Sequence, residues 1–338
     1  MNGINYLFII IFIFIFFYLL NTSAKKIKEI KENYSNKTPP FPIDFVYTWK
    51  GEKNTNNIRD SYNYELQYSL RSIHLYAPWY NKIYILTDPP IKIPSWIKKN
   101  NKIVIIDTSN TFSSLRYLPN SNSNAIESTI VNIKELSEHY IYLCDDMFIG
   151  RYVPYTVFFT QNGKAKIDSN CIKDHTITKD VNNNILDINY PLTVNKFYPH
   201  IPIPQIKSLV LEFYNLYPEY IDWIRRTRKR YDIGSYICNK YDLFNPCQQI
   251  HYPICKYMYS QKKAILVNNN DKKRVMFLMN DRLYSTNGDS KLNNILKIRP
   301  LFFCINDDEK DPIKREKIRK DMLLFFNKYY PQKPLFEK

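Results

Sequence analysis

Hydrophobic and polar positions divide the chain into three stretches. Residues 6–20 read YLFIIIFIFIFFYLL, apolar on every side and without a charge. A core helix normally keeps a polar stripe, so an all-apolar segment close to a chain end is expected to be a membrane anchor. Its fifteen residues fall slightly short of the ~17–25 that cross a bilayer, and Ile4, Asn5 and Asn21–Ala24 bring it to that length. The expected organisation is a short tail over 1–4, one transmembrane signal anchor over 5–22, a polar stem over 23–41 and one folded domain over 42–338. A cleaved signal peptide is the alternative, because Thr22-Ser23-Ala24 resembles a small-residue cleavage site.

From residue 43 onward short β-rich runs alternate with helical spacing. Ile43–Thr48, Lys82–Thr87, Lys102–Ile106 and His139–Leu143 read as strands, the second stopped by Asp88-Pro89-Pro90. Tyr62–Leu75, with Leu66, Leu70 and Ile73 on one side, reads as a helix, and so does Asn124–Leu136, with Ile126, Ile130 and Ile133. Such alternation implies an α/β fold, Rossmann-like, with a mainly parallel sheet covered on both faces. Ligands of such sheets sit beyond the carboxyl ends of the strands. Trp49, Asp88 and the pair Asp145-Asp146 all come shortly after strands and are expected to meet in one crevice. Past residue 200 the spacing turns helical, over Ile203–Leu216, Pro218–Arg228, Asp232–Leu243 and Asp311–Tyr329, which predicts a helical C-terminal half.

Composition narrows the chemistry. A length of 338 residues with 44% hydrophobic content supports a sizeable core. Only 6 glycines argue against a Gly-rich phosphate loop, and no Walker A, dinucleotide or H-E-x-x-H motif occurs. The net charge of +16 is spread along the chain, and no nucleic-acid motif accompanies it, so nucleic acid is not an expected partner. An anionic substrate and plain solubility both account for the charge. The six cysteines form no C-x-x-C pair and leave the redox state open. Orientation is likewise open. Lys25, Lys26, Lys28 and Lys31 after the anchor favour a cytoplasmic domain, whereas sequons at Asn21, Asn33 and Asn36 favour a lumenal one, the side preferred here.

Asp145 and Asp146, carried by an apolar strand, could hold Mg²⁺ or Mn²⁺ on a substrate phosphate. The plainer reading is a solvated turn. Glu127 comes directly after Asn124-Ala125-Ile126 and could equally be an ordinary acid in a first helical turn. His200, held between Pro199 and Pro202, is a candidate general acid or base. Arg225, Arg226, Arg228, Lys229 and Arg230 form either a solvated basic face or a phosphate clamp.

These segments resemble the Stealth family of sugar-phosphate transferases, which includes bacterial capsule hexose-1-phosphate polymerases and the alpha/beta subunit of the lysosomal enzyme-targeting N-acetylglucosamine-1-phosphotransferase. The resemblance covers nearly everything from Ile43 to Lys338 in four blocks: Ile43–Trp49; Arg59–Gly150; Pro199-His200 with Arg228–Ile233; and Cys304–Asp308 with Tyr330–Lys338. It implies catalytic roles for Glu127, Asp145, Asp146, His200 and Arg228, with Asp145 and Asp146 also at the metal. It implies donor contacts among Trp49, Arg59, Asp60, Arg71, Asp88 and Asn124. A GT-A-like core, a nucleotide-sugar donor and a glycan acceptor are implied as well, and a homodimer is compatible with it. The implied reaction moves GlcNAc-1-phosphate from UDP-GlcNAc to a sugar hydroxyl and releases UMP. A conventional glycosyltransferase that releases UDP, or an inactive glycan-binding protein, would use the same cleft. The sequence departs from the family at Trp49-Lys50-Gly51, which lacks the usual acid or amide, and at Thr129 and Asn132, where relatives often carry histidines.

Overall fold

The four apolar runs of the first half assemble side by side. In the computed structural model, β1 (Ile43–Trp49), β2 (Ile83–Thr87), β3 (Ile103–Asp107) and β4 (His139–Cys144) are mutually parallel, in the order β3-β2-β1-β4. Buried residues on both faces of β1 and β2 explain why these strands read as continuous apolar runs. Residues 38–51, 64–169, 177–179, 186–188, 200–227, 250–269, 271, 273–279, 283, 290–306, 309 and 311–338 are described.

The remaining strands are short. They are β5 (Met147–Ile149), β6 (Ala165–Asp168), β7 (Ile177–Lys179), β8 (Leu186–Ile188), β9 (Ile203–Ile206), β10 (Ala264–Val267), β11 (Val275–Met279) and β12 (Phe302–Asn306). Strand β9 closes the main sheet antiparallel to β4, β5-β12-β11 form a second sheet, and β6-β10 and β7-β8 are pairs. The helices are α1 (Glu65–Tyr76), α2 (Ser123–Glu127), α3 (Lys207–Leu216), α4 (Pro218–Arg226), α5 (His251–Ser260), α6 (Leu292–Ile298) and α7 (Pro312–Tyr329). One core fills the main sheet, and a second, rich in Phe148, Phe303, Phe326 and Tyr330, lies with β5, β12 and α7. Phe41–Lys338 packs as one unit.

Two predicted helices differ from the outcome. The run 124–136 breaks after Glu127 and resumes only as a 3-10 turn at Ile130–Asn132. Ser128 Oγ and Thr129 Oγ1 donate back to the carbonyls of Ala125 and Ile126, at 2.7 and 2.8 Å, and compete with helix propagation there. The run 203–216 begins as a strand, because Ile203 and Ile206 pack into the core and Pro204 is tolerated at a sheet edge. The second half is therefore mixed rather than helical. The helix predicted over 232–243 and the anchor over 5–22 lie outside the described residues. Among the described residues no helix is long and apolar enough to cross a membrane.

Candidate active site

Parallel register brings the predicted strand ends level. Trp49 pairs with Thr87 and Thr48 with Cys144, so the residues after β1, β2 and β4 share one edge of the sheet. At that edge Asp145-Asp146 turns the chain from β4 in the main sheet into β5 in the second. Strand β5 pairs with β12 on one side only. Its other side is satisfied by two buried serines of α1: Ser69 Oγ donates to the Met147 carbonyl (2.5 Å) and Ser72 Oγ accepts from Ile149 N–H (3.0 Å). Tyr47 of β1 bonds the same Ser69 hydroxyl at 2.7 Å. Beyond β5, a Cβ on Gly150 would stand 2.2 Å from the Pro300 carbonyl oxygen, so only glycine admits this close approach. The carboxylate turn is thus held from both ends.

Around the Asp146 carboxylate two side chains converge. Cys304 Sγ donates to Asp146 Oδ2 at 3.2 Å, and His200 Nδ1 lies 3.9 Å from the same oxygen. Asp146 Oδ1 and His200 Nδ1 are buried without a hydrogen-bond partner among the described residues. Burial, then the Asp146 charge, pushes the Cys304 thiol well above its ordinary range, and the same causes act on Cys144. A raised thiol pKa disfavours the thiolate at both positions. A divalent cation would suit this corner: Asp146 offers a buried oxygen without a hydrogen-bond partner among the described residues, a hard donor suited to Mg²⁺ or Mn²⁺ together with substrate phosphate. Asp146, His200 and Cys304 offer ligand atoms within 4.8 Å of one another, and of the three the carboxylate is the donor that suits a hard ion.

Glu127 ends α2 and is 6% exposed. Its Oε1 accepts from the Tyr142 hydroxyl at 2.8 Å, and its Oε2 lies 2.9 Å from His251 Nε2. Glu127 and Asp146 both act on the Cys144 thiol, so they flank the end of β4. Two carboxylate–imidazole pairs therefore occupy this region, Asp146–His200 partly open to solvent and Glu127–His251 buried. Sequence reasoning did not find His251. It stands in Ile250-His251-Tyr252-Pro253, with no spacing to another polar group that marks it, and only the packing of α5 brings it to Glu127.

The expected donor contacts separate. Asp88 joins the cleft edge, where Oδ2 lies 3.3 Å from Lys50 Nζ and 4.0 Å from Lys92 Nζ. Trp49 is 4% exposed and packs in the core. Asn124 is buried in α2, its N–H held by the capping Asn122 side chain. Arg71 points to the C-terminus instead: Nε and Nη2 bind both Glu337 oxygens at 2.6 and 2.5 Å, and Nη1 donates to the Tyr330 carbonyl at 3.0 Å. A guanidinium so occupied anchors the tail rather than a phosphate. Arg59, Asp60 and Arg228 lie outside the described residues. Of the basic cluster, Arg225 donates to Ser128 Oγ and its carbonyl, and Arg226 pairs with Asp222 at 2.8 Å. Thr129 and Asn132 both bind Thr111, through Oγ1 at 2.8 Å and the carbonyl at 2.7 Å.

The chain is similar in sequence to known proteins. Residues 59–167 match the family profile of Stealth protein CR2, conserved region 2. The chain is 26% identical to exopolysaccharide phosphotransferase CpsY of Mycobacterium leprae over 333 residues, covering 88% of this chain and 57% of that protein. It is 32% identical to exopolysaccharide phosphotransferase SCO6021 of Streptomyces coelicolor over 222 residues, covering 56% of this chain and 40% of that protein. It is 35% identical to capsular polysaccharide phosphotransferase LcbA of Aeromonas hydrophila over 150 residues, covering 38% and 41%. The chain spans 53% to 61% of the length of the relatives matched over most of it.

Proposed function

We propose that this chain, which belongs to the Stealth family, transfers a hexose 1-phosphate from a nucleotide sugar to a hydroxyl of a polysaccharide. The Asp146–His200 pair at the strand-end turn is the observation that carries the reading. GlcNAc-1-phosphate from UDP-GlcNAc is the proposed donor unit. The acceptor oxygen attacks the sugar-bearing phosphorus, the bond from that phosphorus to the bridging anhydride oxygen breaks, and UMP leaves with the bonding pair. Phosphoryl transfer of this kind depends on positioning and charge neutralisation.

His200 presents Nδ1 to Asp146, which leaves Nε2 to take the acceptor proton, with the carboxylate stabilising the imidazolium that forms. The 3.9 Å separation is longer than a hydrogen bond, and the pair would close on substrate binding. Asp145 and Asp146 would hold Mg²⁺ or Mn²⁺, which supplies charge neutralisation to the diphosphate. Asp88 with Lys50 and Lys92 lies at the same edge and would contact the donor. Glu127, whose oxygens face Tyr142 and His251, sets the charge beside Cys144 rather than serving as the base. Arg228, by the resemblance, would stabilise the charge of the transferring phosphate. Segment 5–22 would hold the domain at a membrane, on the lumenal side.

The test is product identity. The full chain in detergent, given UDP-GlcNAc, Mg²⁺ or Mn²⁺ and a panel of glycans, should release UMP and form a phosphodiester. Release of UDP would instead make it a glycosyltransferase, and donor binding without turnover a glycan-binding protein.

A further inference from the structure

Four segments remote in sequence meet around Glu127. His251 opens α5 and is 2% exposed. The Tyr142 ring stacks on its imidazole with centroids 4.4 Å apart. Its Nδ1 lies 2.7 Å from the side-chain amide nitrogen of Gln205. At the other end of that amide, Gln205 Oε1 accepts from the Tyr140 hydroxyl at 2.5 Å. An amide NH₂ can only donate, so Nδ1 accepts and the ring proton resides on Nε2. Nε2 is the atom that lies 2.9 Å from Glu127 Oε2.

We propose that His251 is the positioning residue of Glu127 and that Gln205 selects the imidazole tautomer that allows it. The proposal rests on Glu127 being part of the phosphotransfer site. Tyr140 of β4, Gln205 of β9 and His251 of α5 then form one directed chain whose last nitrogen faces the Glu127 carboxylate of α2 at ion-pair distance. The Tyr142 hydroxyl meets the other oxygen, and also lies 3.1 Å from Thr48 Oγ1 at the end of β1. Glu127 is thereby fixed from both sides. The consequence is functional because Glu127 and Asp146 share the space around Cys144, so a Glu127 free to swing would alter the field in which Asp146 and His200 work. His251 Nδ1 is taken by Gln205, and Nε2 faces Glu127 in an ion-pair contact, so it acts through the carboxylate.

The experiment uses the full chain in detergent and two readouts. In the transfer assay, His251→Ala should lower kcat about 10–100-fold with the donor KM within twofold, as loss of an orienting partner does. His251→Gln, which can place an amide N–H toward Glu127, should recover most of that loss. In a Glu127→Gln background His251→Ala should cost nothing further, because it acts through the carboxylate. Independently of turnover, nuclear magnetic resonance of ¹⁵N-histidine-labelled protein should show one imidazole protonated at Nε2 only. That signal should vanish in His251→Gln and gain a second proton in Gln205→Glu. Equal cost of His251→Ala in both backgrounds, or losses matched by the unfolded fraction in circular dichroism, would overturn the proposal. So would a His251 proton on Nδ1, and this spectrum decides the matter even if the wild-type chain transfers no sugar phosphate.

Discussion

Arg71 separates a structural from a substrate-binding reading most cleanly. Its side chain is 4% exposed and that of Glu337 is 1% exposed. The guanidinium stacks over the Tyr68 ring at 4.4 Å, holds both Glu337 oxygens and donates to the Tyr330 carbonyl; Gln67 adds a further bond to Glu337. Through these contacts α1 grips the last residues of the chain. Removing one partner strands the other charge in the interior, which costs about 3–5 kcal/mol. Glu337→Ala and Arg71→Ala should therefore each lower the unfolding midpoint by roughly 6–10 °C, at about 2 °C per kcal/mol for a domain of this size. The double variant Arg71→Met with Glu337→Leu should recover much of the loss, since apolar replacement of a buried pair is often neutral. Thermal unfolding of the full chain in detergent reads the effect, and the donor KM of the folded fraction should stay near wild type. Single variants with unchanged midpoints but a tenfold higher donor KM would refute the clamp and return Arg71 to the donor.

The same contacts carry other expectations. Gly150→Ala forces a Cβ against the Pro300 carbonyl and should cost about 1–3 kcal/mol or more, read as a lower midpoint together with lost transfer, because β5 carries the Asp145-Asp146 turn. Cys304, buried and with its thiol raised by burial and by the Asp146 carboxylate, should resist alkylation by iodoacetamide at pH 8 until the protein is unfolded; rapid labelling at Cys304 of the native chain, read by peptide mass spectrometry, would contradict the burial. Asp146→Asn and His200→Ala should each remove transfer while leaving the midpoint within about 1 kcal/mol of wild type in stability, because both groups lie at the partly open cleft with unpartnered polar atoms.

The main sheet was legible because both of its faces are buried. Apolar runs such as Ile83–Thr87 admit few alternatives once Asp88-Pro89-Pro90 ends them. The Asp145-Asp146 turn was legible for the same reason, since a strand of that kind delivers the residues after it to the ligand edge. Features that depend on tertiary partners were not. Ile203–Ile206 carries helical spacing, yet an open edge on β4 takes it as a strand. Arg71 looks like a phosphate ligand until the C-terminal Glu337 is seen to occupy it. Trp49 lies at the end of a strand and nonetheless turns into the core. His251 and Gln205 gain meaning only when α5 and β9 pack beside Tyr142, and no periodicity encodes that meeting.

The central claim is that the bond broken lies between the two phosphates of the donor and not between sugar and phosphate. UDP-GlcNAc carrying ³²P in the sugar-bearing phosphate, incubated with the full chain, a divalent cation and a glycan acceptor, tests it directly. The account predicts that the label moves into the glycan while unlabelled UMP is released, and that Asp146→Asn abolishes the movement. Label that remains with the nucleotide as UDP, while sugar enters the glycan, would contradict it.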